Sequence, residues 1–141
     1  MENIQKNFGF GCMRLPMKDG EVDTEQTCRM VDAFLENGFN YFDTAHGYLG
    51  GKSESALKTC LTSRYPRDRY VLTDKLTNFF FKKPEDIRPL FHSQLNACGV
   101  DHFDFYLMHA QGADVFAYLK KARSGTSASP SMTGRRCWSR S

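Results

Sequence analysis

Residues 38–48 read GFNYFDTAHGY. A glycine precedes a short aromatic run of strand type, and the run ends in Asp43, with Thr44, Ala45, His46, Gly47 and Tyr48 behind it. Buried strands are usually bounded by turn residues. This one closes on an acid, an imidazole and a phenol, groups that do proton chemistry. Three similar apolar runs occur, NFGFGCM at 7–13, YVLTDK at 70–75 and FDFYLMH at 103–109, spaced with FNYFD at 39–43 about every 30 residues.

Helical patterns lie between the runs. DTEQTCRMVDAFLENG pairs Asp23 with Gln26 in the manner of a capping box, places Met30, Val31, Phe34 and Leu35 on one apolar stripe, and ends with Gly38 where a terminating glycine belongs. SESALKTCL is expected to be capped by Ser53 and to bury Ala56, Leu57, Cys60 and Leu61. In the third pattern, over 84–98, Ile87, Leu90, Phe91, Gln94, Leu95 and Cys98 share helical spacing and Gly99 is the stop. Pro84 suits a first helical position, whereas Pro89 does not suit an interior one, so a short turn followed by a helix starting near Pro89 is expected. A fourth helix is expected from about Ala113 to Arg123.

Strands alternating with helices predict a parallel sheet with crossover helices. The repeat fits a (β/α)8 barrel, which uses about 31 residues per unit. A doubly wound sheet is the alternative. Its glycine-rich phosphate turn is incomplete in GFGCMR, which has two glycines and lacks the third.

In a barrel the active site lies at the C-terminal ends of the strands. Here those ends read Cys12, Met13 and Arg14, then Asp43, then Lys75, then His109, with Tyr48 just beyond the second. Strand alternation turns Asp43, Lys75 and His109 inward, each above an alternate residue: Tyr41, Thr73 and Leu107. Taken singly, each has a structural explanation: a helix cap, a solvated strand end, a satisfied core histidine. Together, at equivalent positions on adjacent strands, they predict a rim where acid, ammonium, imidazole and phenol meet. His46 lies near the same mouth, within reach of a substrate, and His92 and His102 are expected at the surface. An ammonium beside a phenol favours phenolate, a carboxylate keeps the ammonium charged, and an imidazole can orient a carbonyl oxygen. Such a site protonates a carbonyl oxygen while something adds to the carbon. The obvious addend is hydride, which no side chain supplies, so a nicotinamide cofactor is implied.

Composition bounds the reading. The 141 residues, 40% hydrophobic and 13% aromatic, suffice for one domain. No apolar run is long enough to span a membrane and no secretory leader is evident, so a cytoplasmic protein is expected. Acids and bases balance through residue 123, and the +3 charge sits in Arg135, Arg136 and Arg140, which leaves no basic footprint for nucleic acid. Cys12, Cys28, Cys60, Cys98 and Cys137 form no C-x-x-C pair and read as free thiols, with no metal expected.

FGFGCMRLP, GFNYFDTAHGY followed by GKSESALK, YVLTDKL and GVDHFDFYLMHA together resemble the aldo-keto reductase family, over about residues 7–123. The wording LTDKL and YLMHA is most similar to bacterial members, some of which carry a C-terminal iron–sulfur module; no such cysteine cluster is present, so no iron–sulfur cluster is expected. The resemblance implies a (β/α)8 barrel that uses NADPH or NADH to reduce a small carbonyl substrate, an aldehyde or ketone. It makes Tyr48 the general acid, eased toward proton release by Lys75, with Asp43 paired to Lys75 and His109 positioning the carbonyl. Gly11, Cys12 and Met13, together with Asp43, match the cofactor side.

The family needs about 300 residues, so the resemblance implies only the first four βα units, over 1–123, with an irregular segment at 124–141. That segment, rich in Ser, Gly, Thr and Arg, reads either as a flexible tail or as the product of a frameshift near Arg123 or Ser124. The family's second half grips most of the cofactor. A non-catalytic fragment or binding subunit of the same fold is therefore the alternative to a reductase, and self-association through open barrel edges is expected. A metal-dependent hydrolase using Asp43, His46 and His109 is a third reading, which leaves Tyr48 and Lys75 unexplained.

Overall fold

The computed structural model describes residues 4–109. Four strands, β1 (Gly9–Gly11), β4 (Tyr41–Asp43), β5 (Val71–Thr77) and β6 (Phe105–His109), form one parallel sheet in the order β1-β4-β5-β6. Each strand lies beside the one before it, and the order never doubles back. That is the winding of a barrel segment, not of a doubly wound sheet, whose order reverses at a switch point. The helix expected from Ala113 and the segment 124–141 lie outside the described residues. No described helix is long and apolar enough to cross a membrane.

β1 stops at Gly11, earlier than expected, and Cys12–Arg14 form a 3₁₀ turn that carries Cys12 into the core. A small antiparallel hairpin follows, β2 (Met17–Lys18) and β3 (Glu21–Val22). Asp19 and Gly20 make its two-residue turn, with φ of 52° and 80°, the pattern that an Asp-Gly pair favours. It was not anticipated, although KDGE carries the signal.

Helix α1 (Thr24–Glu36) starts as expected, with Asp23 Oδ1 accepting from the Gln26 N–H at 2.9 Å. Its buried stripe is Thr27, Val31 and Leu35, flanked by Phe34; Met30 lies just outside it and is exposed. Helix α2 (Lys52–Leu57) continues into a π-helical turn, Lys58–Thr62, and buries Ala56, Leu57, Cys60 and Leu61. Ser53 does not cap it. The cap position is Gly51, and the Ser53 hydroxyl is buried inside the first turn, bonded elsewhere. Helix α3 (Pro84–Cys98) is unbroken, contrary to the expected start at Pro89. Pro89 and Glu85, whose carbonyl loses its helical donor there, are both exposed, so water can satisfy that oxygen. Gly38 and Gly99 stop α1 and α3 in left-handed conformation, as read from the sequence.

The core lies between sheet and helices. Phe42 and Leu72 project from the sheet onto Val31, Leu35, Leu57, Cys60 and Leu61, all buried. Phe10, Phe34 and Phe42 pack ring against ring at centroid distances of 5.2–5.4 Å. The opposite, inner face carries Tyr41, Thr73, Lys75, Thr77, Leu107 and His109, in the alternation expected.

Phe42 is fully buried at the centre of the aromatic cluster. Phe42→Ala is expected to lower stability by about 3–5 kcal/mol, against less than about 1 kcal/mol for Leu107→Ala, whose side chain is partly exposed on the inner face. Urea denaturation of both variants measures the difference, and equal losses would contradict this placement of the core.

Candidate active site

The site follows from unequal strand lengths. β4 ends at Asp43, which lies opposite Thr73 of β5. β5 runs on to Thr77, opposite His109 of β6. Lys75 is therefore beyond the end of β4, and its side chain leans back across the gap. Its Nζ donates to Asp43 Oδ1 at 2.5 Å and to the Thr44 carbonyl at 2.8 Å. Burial by itself lowers the Lys75 pKa, but the bond to Asp43 and the interaction with Tyr48 outweigh it and raise the pKa above the ordinary lysine value. The ammonium is thus locked in its charged form.

Tyr48 returns to the same point through a tight turn, its N–H donating to Ala45 O at 2.9 Å. Its ring lies 4.7 Å from Lys75 Nζ and meets the His109 ring edge-on at 5.9 Å. His109 Nδ1 is 3.0 Å from Thr77 Oγ1, which fixes the imidazole plane. After Tyr48 the chain takes three left-handed residues, Leu49, Gly50 and Gly51, with φ of 53°, 66° and 89°. The two glycines make this run accessible, and it starts α2 directly behind the phenol. Ser53 fastens the turn from below, donating to Cys12 O at 2.9 Å and sharing a 2.8 Å bond with Thr44 Oγ1.

The expected rim set, Asp43, Tyr48, Lys75 and His109, is thus together. Gly11 and Met13 are exposed at the end of β1. The Cys12 side chain turns into the core, where burial first of all pushes its thiol pKa up to about 12. Only the Cys12 backbone can face a ligand at the rim. His46 is held away from Asp43: its Nδ1 lies 2.9 Å from Glu54 Oε2, and its ring stands edge-on to Phe80 at 4.8 Å. Asp43, His46 and His109 therefore do not form a shared ligand set, which removes the hydrolase reading. His92 and His102 are exposed.

Behind the rim, on the helix side of β5, lies a buried polar set that was not singled out from the sequence. Glu54, Asp74 and Cys98 bring one ligand atom each within 4.8 Å of one another. Burial raises the pKa of both carboxyls, and for Asp74 the nearby Glu54 charge adds to it. Both are pushed into the neutral range, so a proton held between them halves the buried charge. Gln94, also fully buried, joins the set from α3. The signal was available. Asp74 is a charge in an apolar strand at a helix-facing position, and Gln94 sits inside an apolar helical stripe.

The model of the Aldo/keto reductase family matches residues 7–122. 4-Dihydromethyl-trisporate dehydrogenase of Mucor mucedo is 33% identical over 106 residues, which cover 72% of this chain and 30% of that protein. Norsolorinic acid reductase B of Aspergillus parasiticus is 38% identical over 70 residues, covering 47% of this chain and 18% of that one. Among solved structures, an aldo-keto reductase from Bacillus halodurans in its holo form superposes with a TM-score of 0.69 at 27% identity, covering 84% of this chain and 41% of its own. An aldo-keto reductase from Klebsiella pneumoniae in complex with NADPH gives 0.66 at 24% identity, covering 82% and 39%. The chain thus spans less than a third of the length of these curated relatives and about two fifths of these solved ones.

The Glu54–Asp74 pair sets a pH dependence. The folded-state values are raised to about 7 and about 8, above unfolded values of about 4. Between those limits the folded chain binds more protons than the unfolded one. The pair's contribution to stability is therefore complete below about pH 4 and is lost as the pH rises to about 8. Asp74→Asn removes one titrating member. In urea denaturation from pH 4 to 8, the stability of the parent minus that of Asp74→Asn is expected to fall steadily; a flat difference would contradict the shared-proton pair.

Proposed function

The chain belongs to the aldo/keto reductase family, and on that premise we propose that it carries the proton-transfer site of a nicotinamide-dependent reductase of small aldehydes and ketones. The observation that supports this best is the convergence of four groups at one rim, with Lys75 Nζ 2.5 Å from Asp43 Oδ1 and 4.7 Å from the Tyr48 ring. In this reading Tyr48 is the general acid that protonates the carbonyl oxygen. The Lys75 ammonium beside it favours the phenolate left behind. Asp43 holds the ammonium in place, and His109, braced by Thr77, orients the carbonyl by hydrogen bonding.

The donor set moves protons and contains no hydride source, which is why a cofactor, NADPH or NADH, belongs to the proposal. When bound, the nicotinamide supplies hydride to the carbonyl carbon. Gly11, Met13 and the backbone of Cys12 would hold it, with Asp43 alongside. The open space around Gly11 fits this, since among the described residues nothing beyond its chain neighbours lies within 4 Å of the position a Cβ would take. The Klebsiella neighbour, which has the same fold, is in complex with NADPH. Residues 1–123 are read as the barrel piece and the rest of the cofactor's grip is assigned to barrel units outside it. A cytoplasmic site of action agrees with the free thiols of Cys12, Cys28, Cys60 and Cys98.

The test is NADPH oxidation with a panel of small aldehydes, for the chain alone and mixed with a separately produced C-terminal half of a related aldo-keto reductase. Turnover is expected to rise on mixing. Tyr48→Phe is expected to lower it by about 10²–10⁴-fold, with NADPH binding by fluorescence retained. Turnover indifferent to Tyr48 would overturn the reading, and tight association without turnover would favour the binding-subunit alternative.

Self-association is part of the same proposal. Among the described residues β1 pairs only with β4 and β6 only with β5, so each offers an edge, and Leu107 is exposed on the inner face. Light scattering of the chain alone is expected to give a dimer or larger species. A monomer that melts cooperatively would contradict it.

A further inference from the structure

The backbone of Lys75 is held in a way that strand pairing does not provide. On β5 the odd-numbered residues direct their N–H and C=O toward β4. Val71 N–H donates to Asn40 O at 2.8 Å, and Thr73 O accepts from Thr44 N at 2.9 Å. Even-numbered residues point the other way, as Leu72 O does in accepting from Asp104 N at 2.9 Å. Lys75 belongs to the odd set, yet β4 has ended at Asp43 and the chain has turned away. Its N–H and C=O face a place where no strand runs, inside a buried region.

Two side chains stand there instead. Asp74 Oδ1 accepts from the Lys75 N–H at 2.7 Å, and Gln94 Nε2 donates to the Lys75 carbonyl at 3.1 Å. Both residues are fully buried. Gln94 is itself fixed, its Oε1 accepting from the Tyr106 hydroxyl of β6 at 2.5 Å. The Asp74 carboxyl also meets the Glu54 carboxyl of the buried pair, and its Oδ1 is the oxygen turned to the Lys75 backbone. Burying a carboxyl and an amide is costly unless they serve partners. Besides Glu54 and Tyr106, their partners here are the two backbone groups of the residue whose ammonium organises the rim.

We propose that Asp74 and Gln94 are positioning residues for the reaction, taking the part of the missing β4 partner and holding Lys75 where its ammonium reaches Asp43 and Tyr48. The role of Lys75 in this statement rests on the reductase reading; the way in which Lys75 is held does not. Apolar residues at both positions would leave an N–H and a C=O unpaired in the interior, and β5 would fray at the one point where its side chain must be fixed.

Nuclear magnetic resonance of the isotopically labelled chain tests this, with Leu72 and Leu76 on the same strand as internal references. In Asp74→Ala the Lys75 amide is expected to exchange at least tenfold faster relative to Leu72, and Asp74→Asn, which keeps the acceptor oxygen, is expected to restore it. In Gln94→Leu the carbonyl carbon of Lys75 is expected to shift. Tyr106→Phe, which creates no cavity, is expected to shift it in the same direction by less. In Asp74→Ala and Gln94→Leu the Lys75 ammonium is expected to titrate at lower pH than in the parent. Lys75 signals that follow those of Leu72 and Leu76 in every variant would overturn the proposal, as would failure of Asp74→Asn to restore protection. Aldehyde turnover with NADPH is recorded on the same samples after a separately produced C-terminal half of a related aldo-keto reductase is added. Its absence in the parent, with the Lys75 signals moving as expected, counts against the reductase reading and leaves the positioning role standing.

Discussion

Lys75 can reach Asp43 only because β5 outlasts β4. Had the two strands ended level, the lysine would have had a strand neighbour, and its ammonium would have pointed into the barrel interior with nothing to meet. The offset puts the carboxylate two register positions below the ammonium's origin and leaves the Thr44 carbonyl free to accept from it. Taking an ammonium out of water is costly, and that cost is met by one carboxylate and one carbonyl, both within 2.8 Å. The left-handed run after Tyr48 then has a purpose. It bends the chain back so that the phenol lies over that ammonium instead of following α2 away from the sheet.

β5 is buried along its whole length, so neither face can be read as the solvent side. Its inner row, Thr73, Lys75 and Thr77, reaches toward Tyr41, Asp43 and His109 in turn. Its outer row, Leu72, Asp74 and Leu76, belongs to the helices. One carboxyl interrupts that second row, and it lies immediately behind the lysine. The two rows are thus joined through a single residue step: the side chain of Lys75 serves the rim, while its backbone is served by the layer underneath.

Much of this was legible in the sequence. The repeat of apolar runs gave the parallel order, and the chemistry at their C-terminal ends gave the rim, because both depend on residue type and spacing alone. Ser53 was misread since a serine ahead of an apolar helical stripe looks like a cap; only the fold shows that Gly51 takes that position and that the hydroxyl has gone to Cys12 and Thr44. Pro89 was misread because the rule against interior proline assumes a carbonyl with no other partner, and here Glu85 is exposed, where water can serve its carbonyl. Asp74 and Gln94 could be seen as anomalies in their patterns but not as partners. Nothing in the spacing of a strand and a helix tells how far apart two strands end.

That last quantity governs more than the rim. β4 has three residues, too few to pair with the whole of β5, and polar side chains take up backbone hydrogen bonds around the sheet's ends. Asn40 Oδ1 accepts from the Gln5 N–H at 3.0 Å beside the start of β4. Asp104 Oδ2, itself gripped by Arg67 at 2.6 Å, accepts from the Leu72 N–H at 2.7 Å where β6 has not yet begun. Asp74 and Gln94 do the same for Lys75 at the opposite end. Short strands need such substitutes because a buried N–H or C=O must find a partner. The substitutes at the lower end serve only the sheet. Those at the upper end support the residue on which the proposed chemistry turns, so there the requirement of the fold and the requirement of the site are met by the same two bonds.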